Sequence, residues 1–194
     1  MYKRQAKADQ DACALRSQQR WAAADAAGIF ANEILPVHIE QQRGDTIVID
    51  QDEHPRPKTS LEKLNKLGGI NGPKSTVTAG NASGVNDGAA ALLLASKKGL
   101  ETHGLKSIAR ILGVAAAGVA PRIMGIGPVP ATRKVMAMTG LAIDDMDVIE
   151  INEAFAAQGL ACIRELGVAD DAPHVNPNGG AIALGHPLGM SGAR

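Results

Sequence analysis

The nineteen residues from Asn176 to Arg194 constrain this chain more than any other stretch. They read Asn-Pro-Asn-Gly-Gly-Ala-Ile-Ala-Leu-Gly-His-Pro-Leu-Gly-Met-Ser-Gly-Ala-Arg, with five glycines between Gly179 and Gly192. A glycine inside a helix or strand costs about 0.5–1 kcal/mol, so this density belongs where the backbone must turn sharply or admit a close neighbour. His186 stands in the middle, between Gly185 and Pro187. Proline locks its own φ and pushes its predecessor toward an extended conformation, which holds the imidazole on a defined corner. With an ordinary pKa of about 6.5, such a histidine suits a base at cellular pH. The same letters also describe a glycine-rich turn before a helix, with His186 as a satisfied polar cap, and spacing alone leaves both readings open.

A second stretch bears on that choice. Val148 to Gln158, Val-Ile-Glu-Ile-Asn-Glu-Ala-Phe-Ala-Ala-Gln, reads as a short buried β run ending at Asn152 and passing into an alanine-rich helix from Glu153 to Leu166. Asn152 therefore sits at a strand-to-helix corner, where asparagine alone would be an N-cap. The Asn-Glu-Ala-Phe run, the Asn-Gly-Gly-Ala-x-Ala-x-Gly-His-Pro-x-Gly-x-Ser-Gly-Ala-Arg run and the segment Gly80-Asn-Ala-Ser-Gly-Val-Asn-Asp-Gly-Ala-Ala-Ala91 together resemble the thiolase family. The resemblance covers essentially the whole chain. Asp52-Glu-His-Pro-Arg56 and Ile123-Met-Gly-Ile-Gly-Pro-Val-Pro130 are similar to the branch of that family acting on 3-oxoadipyl-CoA.

The resemblance implies an α/β fold, a fragment of the thiolase fold with a mostly parallel, helix-covered sheet and a loop or insertion domain. Residues 1–74 would form the loop domain over the CoA groove, 75–104 the end of the N-terminal half, and 105–194 an incomplete C-terminal half. It implies thiolytic cleavage of a 3-ketoacyl-CoA through an acyl-cysteine, with coenzyme A and acyl-CoA as substrates, no separate cofactor, and a homodimer or homotetramer. His186 matches the family's base, and Asn152 holds a water that completes an oxyanion hole with it. Ser83 matches a contact to the pantetheine arm. Arg56, Phe155 and Met124 are the other substrate-side candidates, and Glu153 is a support. Leu67 to Ile70 depart from the family's pattern, so adenine contacts are not carried over to this loop.

Both thiols of the family's reaction stand in contexts that neither Cys13 nor Cys162 matches. The chain is therefore expected to be an internal fragment, inactive alone. A non-catalytic CoA-binding or assembly module is the alternative for the isolated chain. A β-ketoacyl synthase shares the fold but needs a second histidine where Asn-Glu-Ala-Phe stands.

Composition narrows the remaining classes. Twenty basic and twenty acidic residues cancel, leaving no electrostatic footprint for nucleic acid or an anionic membrane. The longest uncharged apolar run, Ile111 to Ala120, has ten residues, against the roughly twenty of a membrane span. Met1 to Lys7 carries no apolar signal region, so the expected location is the cytoplasm. Two cysteines far apart in sequence argue for reduced thiols, without a disulfide scaffold or metal site.

Periodicity gives a coarse map. Asp9 to Phe30 reads as a helix whose buried face is Leu15, Ala22, Ala26, Ile29 and Phe30. Ile34–Ile39 and Thr46–Asp50 read as a hairpin around Gly44, and Ser60–Leu67 as a helix. Asn81 to Gly88 is a glycine-rich corner able to offer free N–H groups, and Ala89 to Ser96 is expected as a short helix followed by a strand. Ser107–Val119 reads as a long strand, Gly125–Pro130 as a loop, Ala131–Thr139 as a helix and Asp147–Ile151 as a strand. Arg122 is a candidate partner for a second substrate carboxylate.

Overall fold

A computed structural model describes residues 5–194; residues 1–4, part of the Met1–Lys7 stretch read as lacking a signal region, lie outside the described residues. The fold is α/β and is organised around two helices that cross in its centre.

The first, α1 (Lys7–Ala26), buries a face that its apolar pattern does not forecast. Gln10, Asp11, Ser17 and Gln18 are buried beside Cys13, Ala14 and Ala24, whereas Ala26 is exposed and Ile29 is 45% exposed. Of the expected face only Phe30 is fully buried. The cause lies in what the helix meets, which is the polar side chains of the 76–81 loop and the helical turn at Ile182 rather than a sheet face. Asp11 accepts from Asn81 Nδ2 at 2.9 Å, Gln10 donates to Thr76 Oγ1 at 3.0 Å, and Gln18 donates to the Ile182 carbonyl at 3.2 Å. Buried backbone groups outside a ladder need partners, and polar side chains supply them.

The second, α5 (Ala156–Glu165), is buried from Ala156 through Ile163. A helix apolar on all sides belongs in a core. Leu160, Ile163 and Ala156 pack with Cys13, Ala14, Leu64, Val175 and Ile182 on one side. Ala161 and Cys162 pack with Ile126 and Val129 on the other. Val129 belongs to α4 (Pro128–Thr139), which begins with proline at its first position and ends at Gly140 in the left-handed region, as helix punctuation requires.

The hairpin is present as β1 (Val37–Ile39) antiparallel to β2 (Ile47–Ile49). The short helix follows as α2 (Leu61–Asn65), with Ser60 Oγ accepting from Lys63 N. Two parallel pairings tie separated segments together: β3 (Val85–Asn86) with β4 (His186–Pro187), and a bridge between Ile149 and Val175. The helix α6 (Ala181–Leu184) immediately precedes β4.

Three local expectations are corrected. Residues 87–96 are neither helix nor ladder, and the helix comes later as α3 (Lys97–His103), where Ser96 Oγ caps the Gly99 N–H at 3.1 Å. The loop expected at Gly125–Pro130 is instead the end of a 3-10 turn, Pro121–Ile126, followed by the start of α4 at Pro128, three residues before the expected Ala131. Residues 107–120 run without a ladder partner among the described residues. From 113 to 119 the odd positions are half-buried and the even ones exposed, the alternation of a strand with one covered face. Gly113 lies against Val135 and Thr139 of α4 on that face. The period-two signal was therefore real, but a ladder also needs a neighbouring strand.

Candidate active site

His186 and Asn152, thirty-four positions apart, meet with Asn152 Nδ2 3.0 Å from His186 Nε2. Asn152 is exposed and His186 half-buried, so the pair opens to solvent.

Backbone geometry places the histidine. Gly185 has φ 88° and ψ 172°, and a Cβ there would overlap Asn86 Oδ1 and lie 2.9 Å from Asn86 Cγ, so only glycine fits. The next N–H, that of His186, donates to Asn86 Oδ1 at 3.0 Å and to the Gly84 carbonyl at 3.2 Å. A turn after Pro187, with Ser191 N donating to the Pro187 carbonyl at 2.9 Å, brings Ser191 Oγ to 2.8 Å from His186 Nδ1. Both ring nitrogens are thus engaged.

The segment from Asn81 to Asn86 straps the two halves of the pair together. Ala156 N donates to the Asn81 carbonyl at 2.9 Å, and Ser83 N and Oγ donate to the Ala154 carbonyl at 3.1 and 3.2 Å. From the same segment Gly84 and Asn86 hold His186. Ser83 thus lies between the Asn152 corner and the His186 loop, although its hydroxyl proton is committed to backbone.

Beneath the pair is a buried carboxylate. Glu153 accepts from Ser17 Oγ at 2.7 Å, Asn176 Nδ2 at 3.1 Å and Ile182 N at 3.1 Å, and Ser17 in turn accepts from Gly180 N at 3.0 Å. Asn176, at φ 45°, turns its amide onto Ile151 like a neighbouring strand, accepting from its N–H at 2.8 Å and donating to its carbonyl at 2.9 Å. Burial pushes the Glu153 carboxyl above its ordinary pKa, and the three hydrogen bonds only partly offset this. The Gly179-Gly180 bend is explained here too, since a Cβ on Gly180 would overlap the Glu153 carboxylate.

The remaining candidates fall elsewhere. Phe155 is 43% exposed and precedes α5. Met124 is 75% exposed on the 3-10 turn, which is tethered to α5 by the Cys162 thiol donating to the Gly125 carbonyl at 3.2 Å. Arg56 folds its guanidinium onto the carbonyls of Glu53, His54 and Pro55, and none of its described hydrogen bonds reaches the His186 loop. Arg122 is exposed. Neither thiol adjoins the pair: Cys13 is pushed up to about 12, first by burial and then by Glu153, and burial raises Cys162. Such thiols are poor nucleophiles.

Sequence reasoning missed Asn86, Ser191 and the Glu153 hub. Asn86 and Ser191 lie inside the quoted motifs, but letters do not show which side chain faces which. His54 packs its ring on Gly84, where a Cβ would lie only 2.9 Å from His54 Nδ1. His54 lines an open cleft of about 570 Å³ with Asn86, Pro187, Met190 and Arg194, and five carboxylates, Glu33, Asp50, Asp52, Glu53 and Asp87, share it. Arg194 is bound to Glu33 at 3.0 Å, so the cleft repels anions. Among the described residues no group of three or more His, Cys, Asp or Glu is arranged to hold a metal, and no helix is long and apolar enough to cross a membrane.

The family model "Thiolase, N-terminal domain" matches residues 3–98, and "Thiolase, C-terminal domain" matches residues 105–194. A beta-ketoadipyl-CoA thiolase of Pseudomonas putida is 70% identical over 188 residues, 97% of this chain and 47% of that protein. The crystal structure of the Bacillus anthracis acetyl-CoA acetyltransferase superposes with a TM-score of 0.89 at 45% identity, covering 97% of this chain and 47% of that one. A human mitochondrial 3-ketoacyl-CoA thiolase in complex with CoA gives 0.83 at 44% identity, covering 96% and 45%. The chain therefore spans about half the length of the relatives it matches, and it belongs to the thiolase family.

Proposed function

We propose that this chain is the part of a cytoplasmic thiolase, homodimeric or homotetrameric, that carries the histidine and asparagine of its reaction centre. The longer enzyme splits 3-oxoadipyl-CoA with a second coenzyme A into succinyl-CoA and acetyl-CoA. The observation that carries this reading is the solvent-open Asn152–His186 pair at 3.0 Å, each member delivered by a separate motif. The substrate rests on the 70% identity to a beta-ketoadipyl-CoA thiolase.

In this reading His186 Nε2 takes the proton of an attacking cysteine, because a thiol with a pKa near 8.5 is only slightly ionised at neutral pH. Once protonated, the same nitrogen donates to the developing oxyanion, and Asn152 directs a water to it. Ser83 keeps acceptor lone pairs for an amide of the pantetheine arm. Phe155 and Met124 offer apolar surface to the substrate, and Arg56 and Arg122 are charge partners for its anionic groups. The attacking thiol is neither Cys13 nor Cys162, so the 194-residue chain alone is inactive.

In the longer enzyme His186→Ala should lower kcat by about 10⁴-fold, since base and oxyanion donor vanish together, and Asn152→Ala by about 10²-fold. Wild-type rates for both variants would overturn the assignment of roles. Acetyl-CoA release by the isolated chain above its own His186→Ala control would overturn its inactivity. A higher kcat/KM for acetoacetyl-CoA than for 3-oxoadipyl-CoA would remove the substrate and leave the thiolase.

A further inference from the structure

We propose that Asn71 is a self-modification site, losing its side-chain amide through a cyclic imide formed with Gly72, while the fold protects the identical dipeptide Asn178-Gly179. Asparagine is a thermolabile side chain, and its weak point is the amide carbon, which the backbone nitrogen of the next residue can attack. In this reaction Gly72 N gives its proton to water and bonds to Asn71 Cγ, and the side-chain nitrogen leaves as ammonia. Water then adds to one of the two ring carbonyls, breaking its bond to nitrogen and returning a proton to Gly72 N. Opening at Cγ gives aspartate. Opening at the main-chain carbonyl gives isoaspartate, whose backbone runs through the former side-chain carbon.

Glycine leaves the attacking nitrogen most open, since it has no Cβ to block the approach. The chain carries Asn-Gly twice, and the structure separates the two copies. Residues 71–74 are all exposed, and a Cβ on Gly72, at φ 97°, would meet nothing within 4 Å. The Gly72 N–H is tied to the Gly69 carbonyl at 3.3 Å, so a small opening of a loop tip frees the nitrogen. Around Asn178 the same letters are locked. Gly179 is buried against α1, where a Cβ would lie 2.9 Å from both the Ser17 carbonyl oxygen and Trp21 Cβ. Its N–H donates to the Asn176 carbonyl at 3.0 Å, Asn176 is held by Ile151 and Glu153, and Gly180 N donates to Ser17 Oγ. Closing a ring onto Gly179 N would break that turn together with the Glu153 network. The chain therefore ages at an exposed loop and spares the turn that holds Glu153.

The test follows the 194-residue chain in mildly alkaline buffer by peptide mass, with trypsin releasing residues 67–74 and 165–194 as separate peptides. Exchange of an amide for a carboxyl adds about 1 Da, and a zero-time sample subtracts what digestion itself contributes. The 67–74 peptide should gain this mass at least about tenfold faster than the 165–194 peptide, the scale of opening a packed turn. Its product should resolve chromatographically into aspartate and isoaspartate forms. In guanidinium chloride the two rates should come within about threefold of each other, because the fold no longer distinguishes the sites. A native 67–74 peptide that keeps its mass, or a native Asn178 that converts as fast as Asn71, overturns the proposal. So does a gap that survives denaturation, which would trace it to flanking residues, and so does aspartate without isoaspartate, which would mean direct hydrolysis. The reaction needs neither substrate nor a longer chain, so either result leaves the thiolase assignment untouched.

Discussion

Two regions of this molecule reverse the usual placement of polar and apolar side chains. Around Glu153 the polar groups are inside: Gln10, Asp11, Ser17, Asn81, Glu153 and Asn176 are buried and bonded to one another or to backbone. Between residues 87 and 120 the apolar groups are outside, with Leu93 83%, Val114 75% and Ile108 fully exposed. The first region is held by directional bonds that specify a single geometry, the property a reaction centre needs. The second has the residues of a strand and no ladder partner among the described residues. Placement thus follows from whether partners are at hand rather than from hydropathy.

The comparison breaks most readily at Glu153. Glu153→Ala leaves the Ser17 hydroxyl, one of the two Asn176 Nδ2 protons and the Ile182 N–H without an acceptor. Leaving buried donors unpaired should cost about 4 kcal/mol, read as a lower urea midpoint. A loss below about 1 kcal/mol would mean that water reaches these groups and that the hub is not buried in solution. Next is Gly180→Ala, whose Cβ would overlap the Glu153 carboxylate and lie 2.5 Å from Asn176 Nδ2. Overpacking a rigid site should cost about 3 kcal/mol. The same substitution at Gly113 meets Thr139 Cγ2 at 2.8 Å and Val135 Cγ2 at 3.0 Å, but the segment's other face is bare and can move away. About 1 kcal/mol is expected there, and equal losses at the two glycines would erase the distinction between the regions.

Acidity sharpens the same contrast. Burial holds the Glu153 carboxyl above the ordinary glutamate pKa. A carboxyl that keeps its proton more tightly when folded stabilises fully below its unfolded pKa, and that contribution is lost as the pH rises through the folded value. Urea titrations of wild type and Glu153→Gln across that range should therefore show the wild type's advantage shrinking as the pH rises from about 4.5. An advantage that grew instead would mean that the three hydrogen bonds outweigh desolvation.

What was legible in the sequence follows the same division. The hairpin, α2, α4, α5 and the two motifs could be read because capping residues, glycines and apolar period are local signals. The buried face of α1 could not, because Gln10, Asp11 and Gln18 are inside only by virtue of partners 66 to 164 positions away. Asn152 and His186 were singled out as letters in motifs, but their 3.0 Å contact depends on the 81–86 strap. Arg56 was chosen for its charge, and charge says nothing of the carbonyls onto which the guanidinium turns.

The smallest effect on folding should come from the exposed region, and it separates surface from core. Ile108 is fully exposed, near the exposed Ile111, Leu112 and Val114. An unpaired apolar strand of this kind recruits other strands, and natural edges are protected by lysine. Ile108→Lys removes no packed contact, so the urea midpoint should shift by no more than about 0.5 kcal/mol in stability. The charge should nonetheless suppress association, seen in sedimentation velocity as a shift from large species toward the monomer. Destabilisation beyond about 2 kcal/mol would show that Ile108 packs against something in solution. An unchanged sedimentation profile would show that other apolar surface drives association, with the still bare β1–β2 hairpin, where Val37, Ile39, Ile47, Val48 and Ile49 are all exposed, as the next segment to charge.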